Sequence, residues 1–194
     1  MTGIDVGETV GMLRLILMRH AKSAWDDPLL ADFDRGLNER GLAAAPQMAR
    51  YLVEDLGLEP DRILCSTARR TRETLAGCLP FFRREQDILL LDRIYHASEE
   101  SYVDLIRQNG GTAQTLMLIG HNPAIQNTAL DLTEQASAAT LHDVREKYPT
   151  ASIAVLEFRE EAWHDIHPAK GFLTRFARPR DLAPSVADLL REPA

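Results

Sequence analysis

Four places in this sequence gather residues suited to holding and transferring a small anion. They are Arg19-His20, then Ser66 with Arg69, Arg70 and Arg72, then Asp92-Arg93 with His96, and finally Gly120-His121-Asn122. Each follows a short apolar run. Arginine offers forked N–H donors that match phosphate oxygens. A histidine beside such arginines has two uses. It can attack phosphorus as a nucleophile, or it can help hold the anion. Attack requires the neutral ring, and neighbouring cations favour that form by disfavouring the imidazolium. The arginines would hold the equatorial oxygens where charge builds in a phosphoryl-transfer transition state.

These residues converge only if the runs before them are parallel strands. Residues 13–18 (LRLILM), 62–65 (RILC), 88–91 (ILLL) and 115–119 (TLMLI) are long enough for strands and too short for helices. Helical stretches alternate with them. One runs from Asn38 to about Leu56, with Gly57 as its stop and Pro46 expected to kink or divide it. Others span residues 66–78, 99–108 and 123–132, the last capped by Asn122 with Pro123 in its first turn. A fifth strand is expected at 152–158, and a late hairpin from 163–166 and 172–176. This alternation predicts an α/β fold, a three-layer α/β/α sandwich on a mostly parallel sheet. In such sheets ligands bind beyond the carboxyl ends of the strands. Residues 1–13 read as a loose leader, 14–180 as one domain, and 181–194 as a Pro-containing tail able to end in a short helix.

Composition narrows the function classes. The chain has 194 residues, 45% hydrophobic and 26% charged, which is ordinary globular usage. Its net charge of −7, from 22 Lys+Arg against 29 Asp+Glu, argues against general nucleic-acid binding. No apolar run is long enough to span a bilayer, so no membrane partner is expected. Two cysteines without a CxxC pair give no disulfide framework and suit a reducing, cytoplasmic setting. Neither GxxxxGK[ST] nor GxGxxG is present. Cys78 and Arg84 fit a Cys-x5-Arg count, but the intervening Leu-Pro-Phe-Phe-Arg cannot form a backbone anion nest. His164-x-x-His167 lacks a third metal ligand nearby.

The ordered motifs resemble the histidine phosphatase superfamily, which includes the phosphoglycerate mutases, and lean toward its SixA-type phosphohistidine phosphatases. They are Arg19-His20-Ala21-Lys22-Ser23, then Asp32-Phe33-Asp34-Arg35 with Leu37-Asn38-Glu39-Arg40-Gly41. Ser66-x-x-x-Arg70-Thr71-x-x-Thr74, Ile94-Tyr95-His96-Ala97, Gly120-His121-Asn122-Pro123 and Tyr148-Pro149-Thr150 follow in the family's order. The resemblance implies a phosphoglycerate mutase-like fold and a phosphatase acting through a phosphohistidine intermediate, without metal or organic cofactor. It implies His20 as nucleophile and Arg19, Arg70 and His121 as phosphate ligands, with Asn122 aiming the helix N-terminus at the anion. The implied substrate is a phosphorylated protein carrying phosphohistidine. A small phosphate ester handled by a phosphomonoesterase or mutase, and a non-catalytic phosphate-binding module, are the alternatives.

The departure from that family lies in the acid. Mutase-like members carry a glutamate after the third strand, and here the nearest counterpart is Asp92, with Glu99 and Glu100 beyond it. Phosphohistidine expels an imidazole, of pKa near 6.5, and so needs less protonation than an alkoxide. Lys22 and Arg35 read as solvated loop cations. Trp25, Phe33 and Tyr95 read first as packing residues. His96, His142, His164 and His167 read as structural.

Overall fold

The computed structural model describes residues 12–97 and 101–182. In chain order these form β1 (Leu13–Arg19), α1 (Glu39–Arg50), β2 (Arg62–Ser66), α2 (Arg69–Cys78), β3 (Asp87–Leu91) and α3 (Asp92–His96). Then come α4 (Val103–Asn109), β4 (Thr115–Gly120), α5 (Ala124–Leu132), β5 (Thr133–Ala136), α6 (Ala138–Glu146), β6 (Ile153–Phe158) and β7 (Gly171–Ala177).

The seven strands form one sheet in the order β3-β2-β4-β1-β6-β7-β5. β1, β2, β3 and β4 are mutually parallel, and β6 runs antiparallel to both of its neighbours. β1 reads as a continuous apolar run because it is covered on both faces. Leu13, Leu15 and Leu17 enter one core with Leu64, Leu116, Leu118, Leu156 and Phe158. Ile16 and Met18 enter the other with Ile63, Cys65, Met117, Ile119 and Ile153. α4, α5 and α6 cover the first face through Ile106, Ile125 and Val144. α1 and α2 cover the second through Met48, Ala49 and Leu75. The expected three-layer α/β/α fold is present, with one antiparallel strand in its sheet.

Several local expectations change. Pro46 does not divide its helix: α1 continues through it to Arg50 and passes into a π-helical turn, Tyr51–Asp55. Asn38 caps α1 by accepting from the Gly41 N–H, and Gly57, at φ 63°, ends the stretch in the left-handed region. The expected 163–176 hairpin is absent, because Trp163–Asp165 is a single 3-10 turn. β7 instead pairs with β6 and β5. Trp163 is buried and donates its indole N–H to the Ala113 carbonyl at 2.6 Å, so it packs as core. β5 and α6 occupy a stretch to which the sequence reading assigns no element. α4 begins at Val103, later than the expected helix start at residue 99, which lies outside the described residues. The expected tail helix also lies outside them.

Gly41 joins the fold to the loop that carries the chemistry. A methyl group on its Cα would collide with the Lys22 carbonyl oxygen, and that carbonyl accepts the Asn38 N–H at 3.0 Å. Gly41→Ala gains helix propensity of about 1 kcal/mol. The backbone clash should outweigh that gain, giving a net loss of about 1–3 kcal/mol. Urea unfolding of the variant against wild type checks the sign.

Candidate active site

The parallel strands bring their carboxyl ends to one edge, and register does the rest. β1 and β4 pair with Arg19 opposite Gly120, and the His20 N–H donates to the Gly120 carbonyl at 3.0 Å. His20 and His121, the next residue on each strand, therefore stand side by side, with ring centroids 5.2 Å apart. β6 closes the other side. The Ala151 N–H donates to both the Arg19 and His20 carbonyls at 3.1 Å. Ala151 holds a left-handed φ of 62°, a conformation that costs an alanine about 1–2 kcal/mol and here braces the backbone behind His20.

Hydrogen-bond chemistry fixes the tautomers. His20 Nδ1 lies 2.8 Å from the Ala21 carbonyl oxygen. A carbonyl only accepts, so Nδ1 carries the proton and Nε2 bears the lone pair. The Ala21 N–H is held by Thr74 Oγ1 at 3.0 Å, and that hydroxyl donates to the Arg70 carbonyl at 2.7 Å. Arg70 Nη2 lies 3.2 Å from His121 Nδ1. Arginine only donates, so this nitrogen accepts, and His121 Nε2–H donates to Ser66 Oγ at 2.8 Å. The His121 backbone N–H donates to the buried Tyr102 hydroxyl at 3.2 Å, which in turn donates to the Ile94 carbonyl.

Both rings are almost fully buried, at 8% and 3% exposure. Burial is the first cause that pulls His20 and His121 down to about 3 from the ordinary 6.5, and Arg70 and Arg19 deepen the effect on each. A neutral imidazole with a free Nε2 lone pair, flanked by guanidinium groups, is a nucleophile arranged to meet an anion. Arg19 donates from Nη1 to the Tyr148 carbonyl at 2.7 Å, and its Nε is buried without a partner. Burial and the neighbouring Arg70 draw the Arg19 pKa below its ordinary value.

The structure thus brings together Arg19, His20, Arg70 and His121. Asp92 stands apart. One of its oxygens accepts from Thr67 Oγ1 at 2.8 Å, the other pairs with His96 Nε2 at 3.1 Å, and its side chain is 62% exposed. Glu99 and Glu100 lie outside the described residues. Asn122 does not cap α5, whose N-cap residue is Pro123. Its Nδ2 donates to Gln126 Oε1 at 3.0 Å. Gln126 Nε2 is spent on the Val144 and Arg145 carbonyls, which pins that orientation. Asn122 Oδ1 is buried without a partner.

Sequence reasoning placed Ser66 at this strand end but gave Asp32 and Tyr95 no role in the constellation. Arg70 donates from Nη1 to the Asp32 carbonyl at 2.6 Å and from Nη2 to Asp32 Oδ2 at 3.0 Å. The Tyr95 hydroxyl donates to the same Oδ2 at 3.2 Å, and its ring stands edge-on to His121 at 5.6 Å. Tyr95 is thus a site residue in addition to packing against Phe33. Trp25 is 68% exposed and lies under Arg35, whose guanidinium carbon is 3.9 Å from the ring centroid, so neither is a core or free rim residue. The motif at 32–35 was visible in the sequence, but a loop carries no periodicity to say which side chain turns inward.

The two depressed histidines make folding stability depend on pH. Below 6.5 the unfolded chain takes up protons that the folded rings refuse until about 3, so stability falls as pH drops through that window. Each ring should cost about 2 kcal/mol between pH 7 and pH 5. Urea midpoints at the two pH values should converge in His20→Ala relative to wild type. An equal pH dependence in both proteins would contradict the assignment.

The chain matches the family model of the histidine phosphatase superfamily (branch 1) over residues 15–89. An uncharacterized protein of Mycobacterium tuberculosis is 35% identical over 165 residues, covering 84% of this chain and 100% of its own. A solved structure of the proposed phosphohistidine phosphatase SixA from Agrobacterium tumefaciens is 37% identical, with a TM-score of 0.69 over 86% of this chain and 98% of that one. That of the proposed SixA from Nakamurella multipartitia is 27% identical, with a TM-score of 0.74 over 87% of this chain and 96% of that one. With two parallel strands seating an Arg-His pair beside a second histidine, and with relatives matched along most of its length, the chain belongs to the histidine phosphatase superfamily.

Proposed function

We propose that this phosphatase hydrolyses phosphohistidine on a protein substrate, with His20 as its nucleophile. The observation that carries the reading is the fixed tautomer of His20. Its Nδ1–H is committed to the Ala21 carbonyl, so the Nε2 lone pair is free beside the Arg19 and Arg70 guanidiniums. In the first step Nε2 forms a bond to phosphorus as the bond to the leaving nitrogen breaks, and the electron pair returns to the leaving ring. Arg19, with its unsatisfied Nε, and Arg70 hold the equatorial oxygens. An arriving dianion competes for the Arg70 N–H now given to His121 Nδ1. Once released, that ring nitrogen takes up a proton from solvent, because the negative charge beside it offsets the lowering by burial and Arg70, and it becomes a donor to the phosphate. Water then attacks the phosphorus on His20, releasing phosphate and restoring Nε2.

The substrate class is supported by what stands around the leaving group. Asp92 gives its oxygens to Thr67 and His96, and among the described residues it makes no hydrogen bond to Arg19, His20, Arg70 or His121 from which it would protonate an alkoxide. An imidazole departs without that help. The guanidiniums supply the positive charge a metal would otherwise provide, so the reaction needs neither metal nor organic cofactor. The buried thiols of Cys65 and Cys78, pushed up to about 12 by burial, suit a reducing cytoplasmic setting.

Wild type should cleave a phosphohistidine protein faster than p-nitrophenyl phosphate, and EDTA should leave the rate unchanged. His20→Ala should lose on the order of 10⁴-fold or more, and no phosphoenzyme should then be trapped. Faster turnover of the monoester, still dependent on His20, would move the substrate to small phosphate esters. A wild type that forms no phosphoenzyme would make the protein a binding module. Arg70→Lys keeps the charge and loses the fork, so kcat should fall about 10²- to 10³-fold.

A further inference from the structure

The phosphate-holding arginine is shared with a carboxylate. Asp32 Oδ2 takes an N–H from Arg70 Nη2 at 3.0 Å, and the same Nη2 reaches His121 Nδ1 at 3.2 Å. One guanidinium nitrogen therefore separates this carboxylate from the histidine that borders the anion. Asp32 sits in a single 3-10 turn, Asp32–Asp34, on the loop after Ser23, and its side chain is 52% exposed. Among the described residues, it is the carboxylate that bonds directly to this constellation. A negative charge here is a liability for a site meant only to bind phosphate, because it repels the dianion it adjoins. It has a use if the group leaving phosphorus carries a proton donor.

We propose that Asp32 is the leaving-group residue of this site, accepting the N–H of a phosphohistidine ring and thereby selecting phosphohistidine over phosphate monoesters. The inference rests on the phosphohistidine reading above. A phosphorylated imidazole departs well only when its other ring nitrogen is protonated, because it then leaves as neutral imidazole and not as an imidazolide anion. A carboxylate hydrogen-bonded to that N–H stabilises the protonated ring. When the phosphorus–nitrogen bond breaks, the electron pair goes to the leaving nitrogen, the proton stays on the other nitrogen, and Asp32 is unchanged. In its ionised form the same carboxylate has no proton to deliver to an alkoxide. Tyr95 donates to Oδ2 and so keeps the carboxylate oriented, while its half-exposed edge leaves it reachable by a ring carried on another protein.

The test compares kcat/KM for phosphoimidazole and for p-nitrophenyl phosphate in wild type and Asp32→Asn. Asparagine keeps an oxygen toward Arg70 and Tyr95 and removes the charge. The small probes need no docking surface. The ratio of phosphoimidazole to p-nitrophenyl phosphate turnover should fall about 10- to 100-fold in the variant. Equal losses on both substrates would mean that Asp32 only positions Arg70, and would overturn the proposal while leaving the phosphohistidine reading intact. A wild type that shows no preference for phosphoimidazole, or traps no phosphate on His20, would overturn that reading and this proposal with it.

Discussion

The pairing of β1 with β4 is the constraint on which the rest depends. Parallel strands hold neighbours in fixed register, and a one-residue slip turns every side chain to the other face. With Arg19 opposite Gly120, the next residues are His20 and His121, and both turn into one space. The register is locked by burial, because Leu15 and Leu17 face one core and Ile16 and Met18 the other. Slippage would exchange the two sets, and the layers of helices that cover them would no longer fit. The hydrophobic core thus sets the spacing of the two histidine rings.

Burial does the electrostatic work as well. The two imidazoles sit in a low-dielectric environment among guanidiniums, and both effects disfavour the charged ring. The outcome is a site rich in positive charge whose histidines stay neutral. Arginine resists losing its proton far better than histidine, so one environment yields permanent cations and neutral bases together. Backbone carbonyls and one serine hydroxyl then select the tautomers. Ala21 holds the proton of His20 on Nδ1, and Ser66 holds that of His121 on Nε2. These partners belong to the framework, so the orientation of the rings costs no further ordering when substrate arrives.

The opposite side of the site carries different chemistry. Asp32 presents a carboxylate where a simple phosphate-binding cleft would present donors. Arg70 stands between the two halves, giving one N–H to Asp32 and another to His121. A ligand must satisfy both sides at once, an anion toward the arginines and a donor toward the carboxylate. On the proposed reading, that pairing is what would separate phosphorylated nitrogen from phosphorylated oxygen.

The sequence by itself determined the layers, the central strands and the four residues that converge, because each depends on local pattern. Apolar runs of four to six residues between helical stretches imply parallel strands, and Arg19, His20, Arg70 and His121 follow those runs or the turn after them. It also placed Gly57 at the helix end, since a positive φ is a property of one residue. Only the tertiary structure decided the rest. Asp32 and Tyr95 enter the site from a loop and a short helix whose contacts are far apart in sequence, and no periodicity marks them. Asp92 lies where the family pattern suggests an acid, yet Thr67 and His96 engage both its oxygens. β5 and α6 lie where the sequence reading assigned no element, and they form because β7 offers β5 a pairing edge and the core takes Val144 of α6. Asn122 looks like a cap until Gln126 claims its amide, because a side chain's partner is chosen by the whole fold and not by its place in the chain.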